Sequence, residues 1–166
     1  MHDRSMNDKP RRSGKWFENT ILGINSPEIE EQPKLAFKDV KASVKEAIYE
    51  AKKIGWDPLN PGEGHYIQKI YSVLKQLAGE IIPDVKIELW PSVGTTLDYI
   101  HGADFFIVAK RRGADKRGRF ILFDLCLYKK RGKEKIVLLT EEDVYNDSNL
   151  EKILKEVVLR LKRSFT

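Results

Sequence analysis

The chain has little of what holds disulfide-stapled or metal-nucleated folds together. Its one cysteine, Cys126, excludes an intrachain disulfide and any multi-cysteine zinc site. Three histidines, none in an HxxxH spacing, leave no histidine-rich metal centre. No run approaches the roughly 18 consecutive apolar residues needed to cross a bilayer, and Met1 to Lys15 lacks the apolar segment of a secretory signal. The expectation is a cytoplasmic protein with no membrane partner. What is present is a folded-domain mixture, 41% hydrophobic and 33% charged over 166 residues. That length suits one core.

The net charge of +5 is modest, but it is unevenly spread. Between Lys110 and Lys135 eleven Lys and Arg face three acids, Asp115, Asp124 and Glu134, a local charge of +8 that leaves −3 for the rest. Clustered cations release counterions from phosphates, so the block points to a polyanion-facing surface; its plain alternative is a pair of solvated loops.

Residues 1–35 read as a flexible arm, in which Trp16 to Leu22 is able to dock on the body as a turn of helix, and residues 36–166 as a single domain. Val40, Val44, Ala47, Ile48 and Ala51 recur at helical spacing over 39–54, with Asp39 as cap and Gly55 as stop. Asn60-Pro61-Gly62-Glu63 has the form of a helix start, and the helix runs to about Ala78. The period then changes to two: Val85, Ile87 and Leu89 alternate with Lys86 and Glu88, a half-buried strand. A loop over 91–102 leads to a strand at 103–110, a basic turn, and a partner strand at 119–128 that closes a hairpin. A short strand at 136–139 and a helix over 148–163 complete the order α-α-β-β-β-β-α. This predicts an α/β (α+β) architecture, a central mixed sheet flanked by helices.

The informative residues are carboxylates that interrupt apolar strands. Asp124 lies within Phe120-Ile-Leu-Phe-Asp-Leu-Cys-Leu, where an ionised group is costly unless paired or metal-bound. Asp104 opens the preceding strand. In a hairpin the two approach across the sheet, and two carboxylates so placed favour a shared cation such as Mg²⁺ or Mn²⁺. Taken singly, Asp104 is equally a strand-start cap, and Asp124 the partner of a nearby Lys or Arg. Asp98 either orders its loop through its own backbone or adds a ligand. His101 is structural or lies near a metal-bound water. Trp56, Trp90 and Tyr99 are able to stack on bases, with a core or rim role for Trp90.

Gly102-Ala103-Asp104-Phe-Phe-Ile-Val, a basic turn, and Phe120-Ile-Leu-Phe-Asp124-Leu together resemble the PD-(D/E)XK restriction-endonuclease-like nuclease superfamily. The resemblance implies a restriction-endonuclease-like core over about Asn60 to Arg163. It implies Mg²⁺ or Mn²⁺ held by Asp104, Asp124 and a helix glutamate, for which Glu63 is the match; a capping-box role for Glu63 is the alternative. The family's lysine two residues after the second acid is Cys126 here. The resemblance passes that role to Lys129, or to Lys110, which by alternation shares a face with Asp104. It implies phosphodiester hydrolysis of nucleic acid, DNA before RNA, with a homodimer as one possible assembly. Lys110, Arg111, Arg112, Arg117, Arg119, Lys130 and Arg131 would grip the backbone. Two other readings stay open: a non-catalytic nucleic-acid-binding or assembly module, and a protein module whose basic block faces an acidic partner.

Overall fold

Four apolar strand segments, the first of them alternating, and helical spacing elsewhere produce a three-layer arrangement. The computed structural model describes residues 14–23, 43–53, 56–59, 65–93, 95–113, 118–128 and 135–165. The elements are α1 (Gly14–Leu22), α2 (Val44–Ala51), α3 (His65–Ile81), β1 (Val85–Pro91), α4 (Thr96–His101), β2 (Phe105–Arg111), β3 (Arg119–Cys126), β4 (Ile136–Thr140), α5 (Glu141–Tyr145) and α6 (Asp147–Ser164).

The sheet runs β1-β2-β3-β4. β2 is antiparallel to both β1 and β3, and β4 is parallel to β3. The expected mixed sheet flanked by helices is therefore present. Because strand side chains alternate, each strand serves two cores. Phe105, Ile107, Ile121, Phe123, Ile87 and Leu89 face α1, α3 and α6. Phe106, Val108 and Leu122 face the other way, against Ala47, Ile48 and Ala51 of α2 and Leu97 of α4. Phe105 and Phe123 sit opposite one another and stack, with centroids 4.5 Å apart, which pins the register of the hairpin.

Three helices were not in the sequence-based order. The loop expected over 91–102 contains α4, six residues capped at its C-terminus by Gly102 in the left-handed conformation. Among the described side chains of α4, Leu97 is the one buried apolar residue, too little to make a helical period. α5 is one capping box long, with Thr140 and Asp143 satisfying each other's backbone. α1 corrects the flexible-arm reading over 14–22: Phe17, Ile21 and Leu22 are completely buried in the main core. α2 is capped by Ser43, whose side chain accepts from the Glu46 N–H; the expected cap, Asp39, lies outside the described residues.

One strand assignment also changes meaning. Glu88, expected on the wet face of a half-buried strand, is 7% exposed because α2 and α4 cover that face as well. Its carboxylate is met by Lys110 Nζ at 3.2 Å and by Trp90 Nε1 at 3.3 Å. Lys110 stands opposite Lys86 in the β1–β2 register, one diagonal step from Glu88. Elsewhere Lys69 of α3 pairs with Asp147 of α6, and Trp56 and Tyr71 donate to the carbonyls of Leu89 and Ile87. No helix among the described residues is long and apolar enough to cross a membrane.

Candidate functional site

The β2–β3 register runs as far as Phe105 opposite Phe123, and Asp104 and Asp124 adjoin that pair on the two neighbouring segments. The two side chains are hydrogen-bonded to one another. Asp104 is fixed on every side. Its N–H donates to the Phe123 carbonyl at 2.8 Å and its own carbonyl accepts from the Ser92 N–H at 2.8 Å. Its Oδ2 accepts from the Leu125 N–H at 2.7 Å. Ser92, fully buried at the end of β1, completes the brace by donating its hydroxyl to the Ala103 carbonyl at 2.7 Å. Gly102, at φ 71°, turns the chain out of α4 so that Asp104 enters at this point.

Asp104 is 2% exposed. Burial pushes its carboxyl up, from an ordinary 3.8 to about 10, and the charges of Glu18 on α1 and Asp98 on α4 push the same way. The hydrogen bond with Asp124 adds to this, and the Leu125 N–H opposes it without prevailing. Asp124 is the more open member, half-buried on the face that carries Leu122. Glu18 is brought here by the same helix that buries Phe17 and Ile21. Sequence reasoning gave it no role; the one available signal was a single acid inside an apolar segment. Asp98 was weighed as a ligand or a loop-orderer, and it lies on a helix near Asp104.

The remaining predicted residues divide. Lys110 is not at the site: it lies at the far end of β2, six residues from Asp104 or about 20 Å along a strand, and is engaged by Glu88. Arg111 and Arg112 lie at the β2–β3 turn, also away from the carboxylates. Arg119 begins β3 and is held by α6, its Nε donating to the Ser164 carbonyl at 3.2 Å and its guanidinium lying over Phe165. Glu63, Arg117, Lys129, Lys130 and Arg131 lie outside the described residues, as does the side chain of Tyr99. His101 ends α4 and Cys126 is buried in β3, its sulfur 3.9 Å from the Leu139 carbonyl.

Among the described residues no three His, Cys, Asp or Glu groups are close enough to form a ready-made metal cage. The Asp104–Asp124 pair nevertheless suits Mg²⁺ or Mn²⁺. Such hard ions take oxygen ligands and commonly use one or two carboxylates, filling the rest with water and phosphate oxygens. A pair that must otherwise keep a proton is also a place where a cation relieves repulsion.

No protein-family model matches the chain, and neither a curated protein nor a solved structure matches it.

Proposed function

We propose that the chain hydrolyses phosphodiester bonds in nucleic acid, DNA in the first instance, at the Asp104–Asp124 pair. The observation that carries this reading is a buried acid just before β2 that is hydrogen-bonded to a second acid in the neighbouring strand β3. Glu18, on a helix that precedes the sheet, acts on Asp104 through its charge. A restriction-endonuclease-like core accords with the β1-β2-β3-β4 order and with the positions of both acids.

Asp104 and Asp124 would hold Mg²⁺ or Mn²⁺, with water and phosphate oxygens completing the shell; when bound, the ion would acidify a water and balance charge on the phosphate. Asp104 is the rigid member, locked by the Leu125 and Ser92 N–H groups. Asp124 is the member open to an arriving phosphate. A pair held by backbone donors keeps its place whether or not it is protonated, which is the preorganisation that positioning demands.

One observation favours the second reading, a binding module without catalysis. Among the described residues every charge acting on Asp104 is a carboxylate, and Cys126 stands where the family's lysine would be. Two variants decide between them. Mn²⁺ should stabilise the wild type and support cleavage of a supercoiled plasmid, and both effects should vanish in Asp104→Asn and Asp124→Asn. Cleavage that survives in both variants would remove the pair from the chemistry. Absence of both metal stabilisation and cleavage in the wild type would leave the binding module.

A further inference from the structure

A second feature lies at the opposite end of β3 from Asp124. β4 begins only opposite Leu122, so among the described residues no strand lies beside Arg119–Ile121 on that edge. Here a groove of about 610 Å³ opens. It is lined from one face of the sheet by α2, through Lys45, Tyr49 and Lys52, and from the other by the end of α6, through Arg160. Arg119 and Phe120 of β3 form its wall between them. The two helices serve different cores, and they reach a common groove because the sheet is one strand narrower at this level.

The lining has an unusual balance. It contributes four cations and, among the described residues, no acid. Glu88, buried outside the lining, pairs with Lys110 and also acts on Lys52 through its charge. Two rings, Tyr49 and Phe120, are 69% and 41% exposed, although large aromatics ordinarily bury. Lys53 adds a further ammonium, 4.9 Å above the Tyr49 ring. Lys52 is partly withdrawn from water, and burial holds its ammonium below the usual lysine range. Exposed rings bordered by cations, with no acid in the lining among the described residues, complement a ligand that alternates flat π-faces with phosphates.

We propose that this notch binds an unpaired stretch of nucleic acid, its bases stacking on Tyr49 and Phe120 and its phosphates meeting Lys45, Lys52, Arg119 and Arg160. The class of ligand rests on the preceding reading, but the site does not depend on cleavage. It lies about 13 Å along β3 from Asp124, four residues from Phe120. A substrate spanning both would be threaded along that strand. An acidic peptide would satisfy the cations without using the rings.

The test separates rings from charges and binding from cutting. Fluorescence anisotropy is measured in EDTA with an oligothymidylate of about twelve nucleotides, within the range of single-strand sites. An abasic deoxyribose-phosphate oligomer of equal length and an oligoglutamate serve as comparisons. The wild type should bind the thymidylate at least about fivefold more tightly than the abasic chain, as stacking of one base requires. Tyr49→Ala with Phe120→Leu should erase that preference and leave abasic binding unchanged. Lys45→Ala with Arg160→Ala should weaken both ligands and lower the logarithmic salt slope by about 1.4, at roughly 0.7 per phosphate lost. All four side chains are exposed, so unaltered thermal melts check the fold. Equal affinity for thymidylate and abasic chains would overturn the proposal, as would indifference to either pair of substitutions. Oligoglutamate bound as tightly and lost with the same variants would reassign the groove to an acidic peptide. Plasmid cleavage with Mn²⁺, measured separately, reports only on the Asp104–Asp124 reading. Loss of one result with survival of the other therefore identifies which has failed.

Discussion

Asp104→Asn isolates the property on which the carboxylate site depends. In the metal-free protein Asp104 is raised to about 10, whereas an unfolded aspartate titrates near about 3.9. A raised acid binds its proton more tightly when folded, so its contribution to stability is complete below about pH 4. That contribution is lost progressively as pH rises toward the folded value. One proton sets the limit of the slope, about 1.4 kcal/mol per pH unit. Asparagine has the same shape. Its Oδ1 accepts from the Leu125 N–H that now meets Oδ2, and its amide donates toward Asp124 without a charge.

Urea unfolding of both proteins in EDTA, at about pH 6 and about pH 8, measures the difference between them, and groups common to both cancel. The variant should gain on the wild type by up to roughly 3 kcal/mol over that interval, the product of one proton and two pH units. Mn²⁺ at a hundredfold excess over its dissociation constant should then return about 2.7 kcal/mol to the wild type alone. Parallel pH profiles would refute the reasoning. They would mean that Asp104 ionises in place at no cost, so the buried carboxylate pair described above would not exist in solution.

Three further outcomes follow from the same structure. Phe17→Ala should destabilise by about 3–5 kcal/mol, since a fully buried ring is removed; an unchanged thermal melt would restore the reading of 14–22 as a dispensable arm. Lys110→Met should cost about 1–3 kcal/mol by leaving Glu88 buried without its cation, with partial recovery in the Glu88→Gln double variant and metal-dependent cleavage intact. Loss of cleavage in well-folded Lys110→Met would return Lys110 to the chemistry. Gly118→Ala should cost about 2 kcal/mol or more in chemical denaturation, because φ is +69° and the new Cβ would lie 2.8 Å from the Ala109 carbonyl oxygen.

The strands and the longer helices were legible because their burial is periodic. Val85, Ile87 and Leu89 show a period of two, and Leu150, Leu154, Val157, Val158 and Leu161 one of 3.6. The same periodicity misled at Glu88. Alternation distinguishes the two faces of a strand, but says nothing of whether the second face is wet. Here α2 and α4 cover it, and α4, at six residues, is too short to show a helical period. Lys110 was misplaced for a related reason. Alternation puts it on the face of Asp104, yet a shared face does not bring together residues at opposite ends of a strand, and the β1–β2 register gives Lys110 a nearer acid in Glu88.

The candidate site was legible to the extent that a hairpin is local. Two apolar strands either side of a basic turn predict a hairpin, so Asp104 and Asp124 were legible as neighbours on adjacent strands. Glu18 was not, because it joins them through a helix–sheet contact separated from β2 by more than eighty residues, and no local rule carries that far. Its place follows from the core. Phe17 and Ile21, one helical turn apart, are both fully buried, which fixes the rotation of α1. Glu18 is adjacent to Phe17 and partly exposed, so it emerges at the border of that buried face, where its charge acts on Asp104. The residues that make α1 part of the core thus also aim its carboxylate. Damage to α1 should be felt at the site as well as in the melt, whereas Glu18→Gln should weaken only the site.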